Sequence, residues 1–315
     1  MTVPAVLGLD TSNYTTSAAW FDGETGDNAG KLLEVPARSL GLRQSEALFQ
    51  HVKRLPDILA ALKETGLPET LAGVGASTRP REVEGSYMPC FLAGESQARV
   101  MAQAFSLPFF PCSHQQGHIA AAAWSAGRMD LLDRPHLVWH LSGGTTELLR
   151  VVPDGVTVKG EIIGGTRDLS AGQLIDRTGK RLGLAFPSGK AVDALSLEAD
   201  KPEAFRVKTA ESFFSFSGVE NKMNALAEAG ETPANICRYV LGSVIGAVER
   251  ATCQALERYP GLPVLCAGGV ASNRLLRETM TGSCGAVFAQ PRFSTDNAMG
   301  VAILAWRAMF QKDTV

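Results

Sequence analysis

No run of apolar residues in this chain approaches eighteen, so no segment reads as a helix that spans a bilayer. The N-terminus lacks a basic region and reaches Asp10 quickly, so a secretory leader is not expected. Charge of one sign is missing too. The formal net charge is −2, with 20% charged residues, so no basic field marks a chain that grips nucleic acid by itself. Cysteine is sparse: the six thiols are dispersed, with no pair at a two-residue gap. That spacing favours buried free thiols in a reducing cytosol, hence a cytoplasmic protein, far ahead of a zinc knuckle. Histidine is scarcer still, with five in the chain.

What is present is ordinary for a soluble globular protein. Apolar residues make up 45% of 315, enough for two domains, each with its own core. A boundary falls in 126–135, giving a first domain of residues 1–130 and a second of 131–315, with the last helix able to pack back on the first.

Two of the histidines lie in His114-Gln115-Gln116-Gly117-His118, ahead of the apolar run Ile119–Trp124. In a helix they stand one turn apart on one face and can share a metal ion. His136 and His140 have the same spacing but fall in an expected strand, where four residues span about 13 Å, too far to share an ion. Spacing alone therefore leaves a metal pair and a chance pair equally open.

Leu141-Ser142-Gly143-Gly144-Thr145-Thr146-Glu147 is a glycine-broken turn between apolar segments, and its amides can approach an anionic or amide-bearing ligand closely. Near the N-terminus, Val3–Leu9 reads as a buried strand, Asp10–Thr16 as a polar turn and Ser17–Phe21 as the returning strand. Placing Thr15-Thr16 on Thr145-Thr146 brings Ser12 onto Ser142. Two such units suggest two lobes whose strand–turn–strand elements point at a shared cleft, the pattern of the actin-like ATPase and sugar-kinase fold. Two unrelated hairpins would give the same local signal.

The rest of the chain supplies helices and further turns. Apolar spacing predicts a helix over 45–65 with a kink at Pro56, and another over 93–105. A short strand over 71–76 runs into Ser77-Thr78-Arg79-Pro80-Arg81, a basic loop whose arginines can clamp a phosphate or stay solvated. Residues 164–172 read as a polar glycine-rich link into a helix carrying Asp176, and Phe186-Pro187-Ser188-Gly189 as a turn before Asp193. Phe213–Gly218 reads as a packing element, and Pro233 as the opening of a helix to about Tyr259. Strand 263–267 passes through Gly268-Gly269 to a helix near Ser272-Asn273, which suits an adenosine-like group or is a plain tight turn. Thr295-Asp296-Asn297 precedes the closing helix 298–310, with Asp296 either its N-cap or a metal-seeking carboxylate.

Taken together these motifs resemble the TsaD (Gcp, glycoprotease-like) family, over nearly the whole chain and most strongly after Pro108. The likeness rests on HQQGH, LSGGTTELL, AGQLIDRTGKRLGL, FPSGKAVD, FSFSG, AGGVASN and STDNAM in that order. The resemblance implies an α/β chain with the two-lobed actin-like ATPase or sugar-kinase (ribonuclease H-like) fold and an interlobe cleft. It implies transfer of a threonylcarbamoyl group from threonylcarbamoyl-AMP to a tRNA adenosine beside the anticodon. It makes His114, His118 and Asp296 the ligands of one divalent metal, iron or zinc, and the catalytic set. His140, Leu141, Ser142, Gly143, Gly144, Asp176, Gly189, Asp193 and Asn273 then hold the adenylate, or an ATP- or ADP-type nucleotide. Implied partners are tRNA, a smaller paralogous subunit and an ATPase, with no membrane.

Several positions depart from the family pattern. Asn13-Tyr14 replaces an acidic pair, and Thr78-Arg79-Pro80-Arg81 a glycine-proline-glycine loop. Gln116 and Gln173 replace glutamates, Thr145 a histidine, and Glu220 a lysine. The rival readings are a non-catalytic or repurposed paralogue acting as a nucleotide-binding scaffold, and an actin-like small-molecule kinase or ATPase. A zinc protease is disfavoured, because Gln115 stands where such an enzyme needs a general-base glutamate.

Overall fold

The structure is a computed structural model that describes residues 4–12, 14–35, 42–201 and 204–311, so Val3 and Asn13 lie outside the described residues. Two compact units divide the chain. The first takes Met1–Arg134, Val152–Gly160 and Arg292–Val315; the second takes Pro135–Val151 and Glu161–Pro291.

In the first unit, β1 (Ala5–Asp10), β2 (Thr15–Phe21) and β3 (Gly26–Leu32) form an antiparallel meander. β4 (Leu71–Arg79) and β5 (Phe109–Ser113) add to β1 in parallel, giving the order β3-β2-β1-β4-β5. Every residue of β1 is buried, as a strand covered on both faces requires. Alternate residues choose the face. Leu7 and Leu9 pack with Leu55, Ile58 and Leu62 of α1 (Gln44–Glu64) and with Ala93 and Ala98 of α2 (Phe91–Ala104). Pro56 lies inside α1, which runs as one helix through it.

Gly8 points the other way. A Cβ there would lie 2.5 Å from the Ala302 amide nitrogen, so the glycine lets the closing helix press on the sheet backbone. That helix is α9 (Met299–Phe310), and it also crosses α3 (His114–Ser125). At the crossing, a Cβ on Gly300 would sit 1.7 Å from the Gly117 carbonyl oxygen. Gly300 is therefore a glycine because α9 lies directly against the α3 backbone.

The second unit repeats the plan. β6 (His136–Leu141) pairs antiparallel with β7 (Thr146–Asp154), which is followed by β8 (Thr157–Thr166). β10 (Val264–Ala267) and β11 (Val287–Phe288) add to β6 in parallel, and β9 (Phe213–Phe214) lies outside β8. The order β11-β10-β6-β7-β8 matches β5-β4-β1-β2-β3 strand for strand. The echo between the Asp10 and Ser142 turns is thus the visible end of a duplicated five-strand layout.

Among the described residues, five α-helices complete this unit: α4 (Ala171–Arg181), α5 (Gly189–Ser196), α6 (Ser217–Glu228), α7 (Pro233–Arg258) and α8 (Arg274–Cys284). Pro233 opens α7 behind Thr232, whose side chain accepts the Asn235 N–H. The buried Trp139 donates its indole N–H to Thr252 Oγ1 at 2.8 Å, which satisfies the one polar atom it brings into the core. Phe214 and Phe216 are buried in the same core, the packing role expected of FSFSG.

Two segments differ from the sequence reading. β8 extends through Gly164 and Gly165 to Thr166, where a glycine-rich link was expected. A Cβ on Gly164 would meet the Ser212 carbonyl oxygen at 2.6 Å, so this glycine allows close backbone approach within a strand. β4 likewise continues to Arg79, because Ser77 and Arg79 pair with Cys112 and Ser113 of β5.

Candidate functional site

The first set of chemistry-bearing side chains is built where β5 becomes α3. Ser113 ends the strand and caps the helix. Its hydroxyl accepts the Gln116 N–H at 3.2 Å, and the Gln116 side chain accepts the Ser113 N–H at 2.8 Å. This capping box starts the helix at His114, so His114 and His118 stand at the two ends of its opening turn. Their ring centroids are 4.3 Å apart. Asp296 Oδ1 lies 3.1 Å from His118 Nε2 and 3.6 Å from His114 Nε2. The three ligand-type atoms all lie within 4.8 Å of one another, and no other such group of three occurs among the described residues.

Asp296 is not the N-cap of α9. Asn297 Oδ1 accepts the Met299 N–H at 3.0 Å, and Asn28 Oδ1 accepts the Ala298 N–H at 2.9 Å. With those two amides satisfied by asparagines, the aspartate is left to the histidines.

A fourth residue completes the set, and the sequence reading had assigned it no such part. Asp10, at the end of β1 and 1% exposed, meets His114 Nδ1 at 2.8 Å through Oδ2, while its Oδ1 accepts the Ser12 N–H. A carboxylate on Nδ1 holds a proton there and fixes the ring so that Nε2 faces Asp296, the orientation that a metal-ligating histidine needs. Ser12 Oγ stands 3.5 Å from the same Nε2. The only signal for this in the sequence is an acidic residue closing a buried strand.

The electrostatics fit a cation. Burial opposes charge on His114, yet the Asp10 carboxylate and then Asp296 carry its pKa up to about 10. Burial likewise opposes ionisation of Asp296, but hydrogen bonds from His114 and His118 hold its carboxyl well below the usual range. At Asp10, burial is outweighed by the charge and hydrogen bond of His114, and the carboxyl is lowered. A buried and a half-buried carboxylate on one imidazole both stay ionised only with positive charge between them, a proton or a metal ion. Two imidazoles and one carboxylate are a donor set for iron or zinc.

The second set lies in the second unit, at the C-terminal end of β6. The Ser142 N–H donates to the Thr145 carbonyl at 2.8 Å, and Ser142 Oγ accepts the Thr145 N–H at 3.0 Å, closing the turn. Gly143 and Gly144 are exposed at its tip, with open space where a Cβ would stand. The turn is gripped from two sides. Ser170 Oγ donates to the Gly143 carbonyl at 2.7 Å, and a Cβ on Gly172 would lie 2.5 Å from Gly143 Cα, so α4 begins directly against it. Gly268, at φ +99°, presses on Leu141, whose carbonyl oxygen a Cβ would meet at 2.1 Å.

Beyond the turn, Asp176 Oδ1 accepts the Ser188 N–H at 2.8 Å, which brings Gly189 and the start of α5 beside α4. Asp193 Oδ1 accepts from Asn273 Nδ2 at 2.6 Å, and Asn273 Oδ1 caps α8 by accepting the Leu276 N–H at 2.9 Å. Burial raises the Asp193 carboxyl above its usual range, only partly offset by the Arg274 N–H and Asn273. His140 is half-buried and lies opposite Glu147 in the β6–β7 register. The expected residues thus form two groups: His114, His118 and Asp296 in the first unit, and His140–Gly144, Asp176, Gly189, Asp193 and Asn273 in the second.

Several departures from the family pattern acquire local explanations. Gln116 and Gln173 both occupy the third position of a capping box, opposite Ser113 and Ser170, where glutamate and glutamine cap alike. Glu220 pairs with Arg177 at 2.9 Å. Arg79, one of the two arginines read as either a phosphate clamp or solvated, pairs with Glu82.

The family model for "TsaD: tRNA N6-adenosine threonylcarbamoyltransferase" matches residues 37–303. The tRNA N6-adenosine threonylcarbamoyltransferase of Thermus thermophilus is 34% identical over 310 residues, which are 96% of this chain and 92% of its own length. The protein of that name from Enterococcus faecalis is 36% identical over 222 residues, 68% of this chain and 60% of its own length. Among solved structures, full-length HypF in its phosphate- and nucleotide-bound form superposes with a TM-score of 0.62 at 12% identity, covering 98% of this chain and 47% of that one. Component A of the (R)-2-hydroxyglutaryl-CoA dehydratase of Acidaminococcus fermentans gives 0.58 at 14% identity, covering 97% and 99%. At these identities the two structures speak for the fold, which is the mixed α/β fold of actin-like ATPases and sugar kinases.

Proposed function

The chain belongs to the TsaD family of tRNA N6-adenosine threonylcarbamoyltransferases, and from that premise we propose that it moves the threonylcarbamoyl group from threonylcarbamoyl-AMP to the exocyclic amine of the tRNA adenosine next to the anticodon. The observation that carries the reading is the meeting of His114, His118 and Asp296, with Asp10 fixing His114 from behind.

An adenine exocyclic amine is a poor nucleophile, so the carbonyl it attacks has to be activated. An iron or zinc ion held by His114, His118 and Asp296 supplies Lewis acidity toward a carbonyl oxygen. Asp10 keeps the Nε2 lone pair of His114 available for that ion. Amides of the Ser142–Gly144 turn orient the adenylate phosphate and steady charge as it develops. Asp176 and Asp193 accept hydrogen bonds, which suits ribose or threonine hydroxyls and repels phosphate. Asn273, committed to capping α8, holds Asp193 in place. In the transfer the amine nitrogen bonds to the carbamoyl carbon and loses one proton. The bond from that carbon to the AMP oxygen breaks, and AMP leaves with the electron pair.

No helix among the described residues is long and apolar enough to cross a membrane, and the net charge of −2 leaves this chain poor in the basic surface that tRNA requires. A smaller paralogous subunit and an ATPase in the cytoplasm supply what this chain lacks.

Asp193→Ala tests the substrate assignment. A hydrogen bond to a charged group contributes about 1.5–3 kcal/mol, so titration calorimetry with threonylcarbamoyl-AMP should show roughly 10- to 100-fold weaker binding. A variant that keeps its thermal midpoint and binds the adenylate as tightly as the wild type would move the ligand elsewhere.

A further inference from the structure

The tip of the β7–β8 hairpin presents backbone carbonyls to α3, which carries both histidines, and to α9, which follows Asp296. Gln116 stands between His114 and His118 and is 5% exposed. Its Oε1 accepts the Ser113 N–H, a task a glutamate at that position performs equally well. Its Nε2 donates to the Val158 carbonyl at 2.9 Å and lies 3.4 Å from Thr157 Oγ1. An ionised carboxylate has no proton to give a carbonyl, so this second bond belongs to glutamine alone. From the other side Arg307 of α9, 2% exposed, donates Nε to the Val156 carbonyl at 3.0 Å and pairs with Asp133. Three successive residues of the tip are therefore bonded to α3 and α9.

We propose that Gln116 is a positioning residue for the metal centre: through its bond to Val158 it fixes the first turn of α3, and so both imidazoles, against the hairpin tip. The inference rests on the reading that His114, His118 and Asp296 hold a metal ion. Workable coordination tolerates ligand displacements of only about 0.2 Å, and both histidines ride on the turn that Gln116 anchors. Loss of the donor also leaves the buried Val158 carbonyl without its partner, which favours displacement of the turn. Glutamine at this position is then chosen for its N–H and not for its neutrality.

The test uses cobalt(II) as the probe and the full chain as wild type, Gln116→Glu and Gln116→Met. The glutamate variant keeps the cap and loses the bond to the tip, while the methionine variant loses both. Outer-sphere partners of metal ligands are worth about 10- to 100-fold in affinity, so both variants should bind cobalt that much more weakly, with an altered visible spectrum of the bound ion. The metal-free thermal midpoint should fall further for Gln116→Met. A new carboxylate near a cation site tightens binding through its attraction to the ion, so weaker binding in Gln116→Glu reports displacement of the turn, from the lost donor and from a carboxylate set against the Val158 carbonyl. Wild-type affinity and spectrum in Gln116→Glu, with loss confined to Gln116→Met, would reduce the residue to a helix cap and overturn the proposal. Failure of the wild type itself to bind cobalt would instead refute the metal reading, and this inference with it.

Discussion

His114→Ala and His118→Ala should each leave the freshly purified protein nearly free of metal, against about one ion per chain in the wild type by elemental analysis. Each removes one of two imidazoles from a set whose remaining donors, one nitrogen and one carboxylate, hold an ion far less well. His136→Ala removes an imidazole at the same four-residue spacing from its neighbour, but on β6, and should leave the metal content unchanged. Lewis-acid polarisation contributes several kcal/mol to such a transfer, so the rate should drop roughly a thousandfold with either metal-site variant. If His136→Ala strips the metal while His114→Ala retains it, the site is misassigned.

Gly300→Ala should be among the most disruptive single-methyl additions to this chain. The added carbon would stand 1.7 Å from the Gly117 carbonyl oxygen and 2.9 Å from the Ala121 nitrogen, both backbone atoms that no rotamer change can move aside. The start of α9 has to lift from α3. Overpacking of this kind costs about 1–3 kcal/mol, visible as an earlier denaturant midpoint. Asp296 lies four residues before Gly300, so metal affinity should fall together with stability. Gly282→Ala on α8 is the internal control. Its Cβ would meet open space, and replacing glycine inside a helix gains about 0.5–1 kcal/mol, so the midpoint should rise. Equal, small effects of the two substitutions would mean that α3 and α9 are not packed backbone to backbone.

The parts of this structure that were legible in the sequence are those set by local rules. Histidines four apart ahead of an alanine-rich run imply a shared helix face, and α3 delivers it. Pro233 after Thr232 marks a helix start, and α7 begins there. The strand–turn–strand echo was legible because each copy ends a buried strand at a short polar turn. Around the metal set, Asp10 was not legible, because its contact is long-range, and Asp296 was named as a ligand only through the family resemblance. Asp10 and His114 are 104 residues apart, and nothing local to either announces the other. Whether Asp296 caps a helix depends on Asn28, an edge-strand residue 270 positions from the amide it accepts. The first unit is also discontinuous along the chain, taking Val152–Gly160 and Arg292–Val315 as well as its N-terminal part, which no composition shift marks. Gly300 shows the same limit: its meaning appears only once α9 crosses α3.

The central claim is the transfer itself, and it is tested most directly by mass spectrometry of nucleosides from undermodified tRNA. The tRNA is incubated with threonylcarbamoyl-AMP, the purified chain, and the proposed paralogous subunit and ATPase. The account predicts threonylcarbamoyl-adenosine at the position beside the anticodon, formed with the wild type and lost with His118→Ala. A wild-type chain that binds both metal and adenylate yet yields no modified nucleoside would contradict it, and would identify a ligand-binding scaffold in place of a transferase.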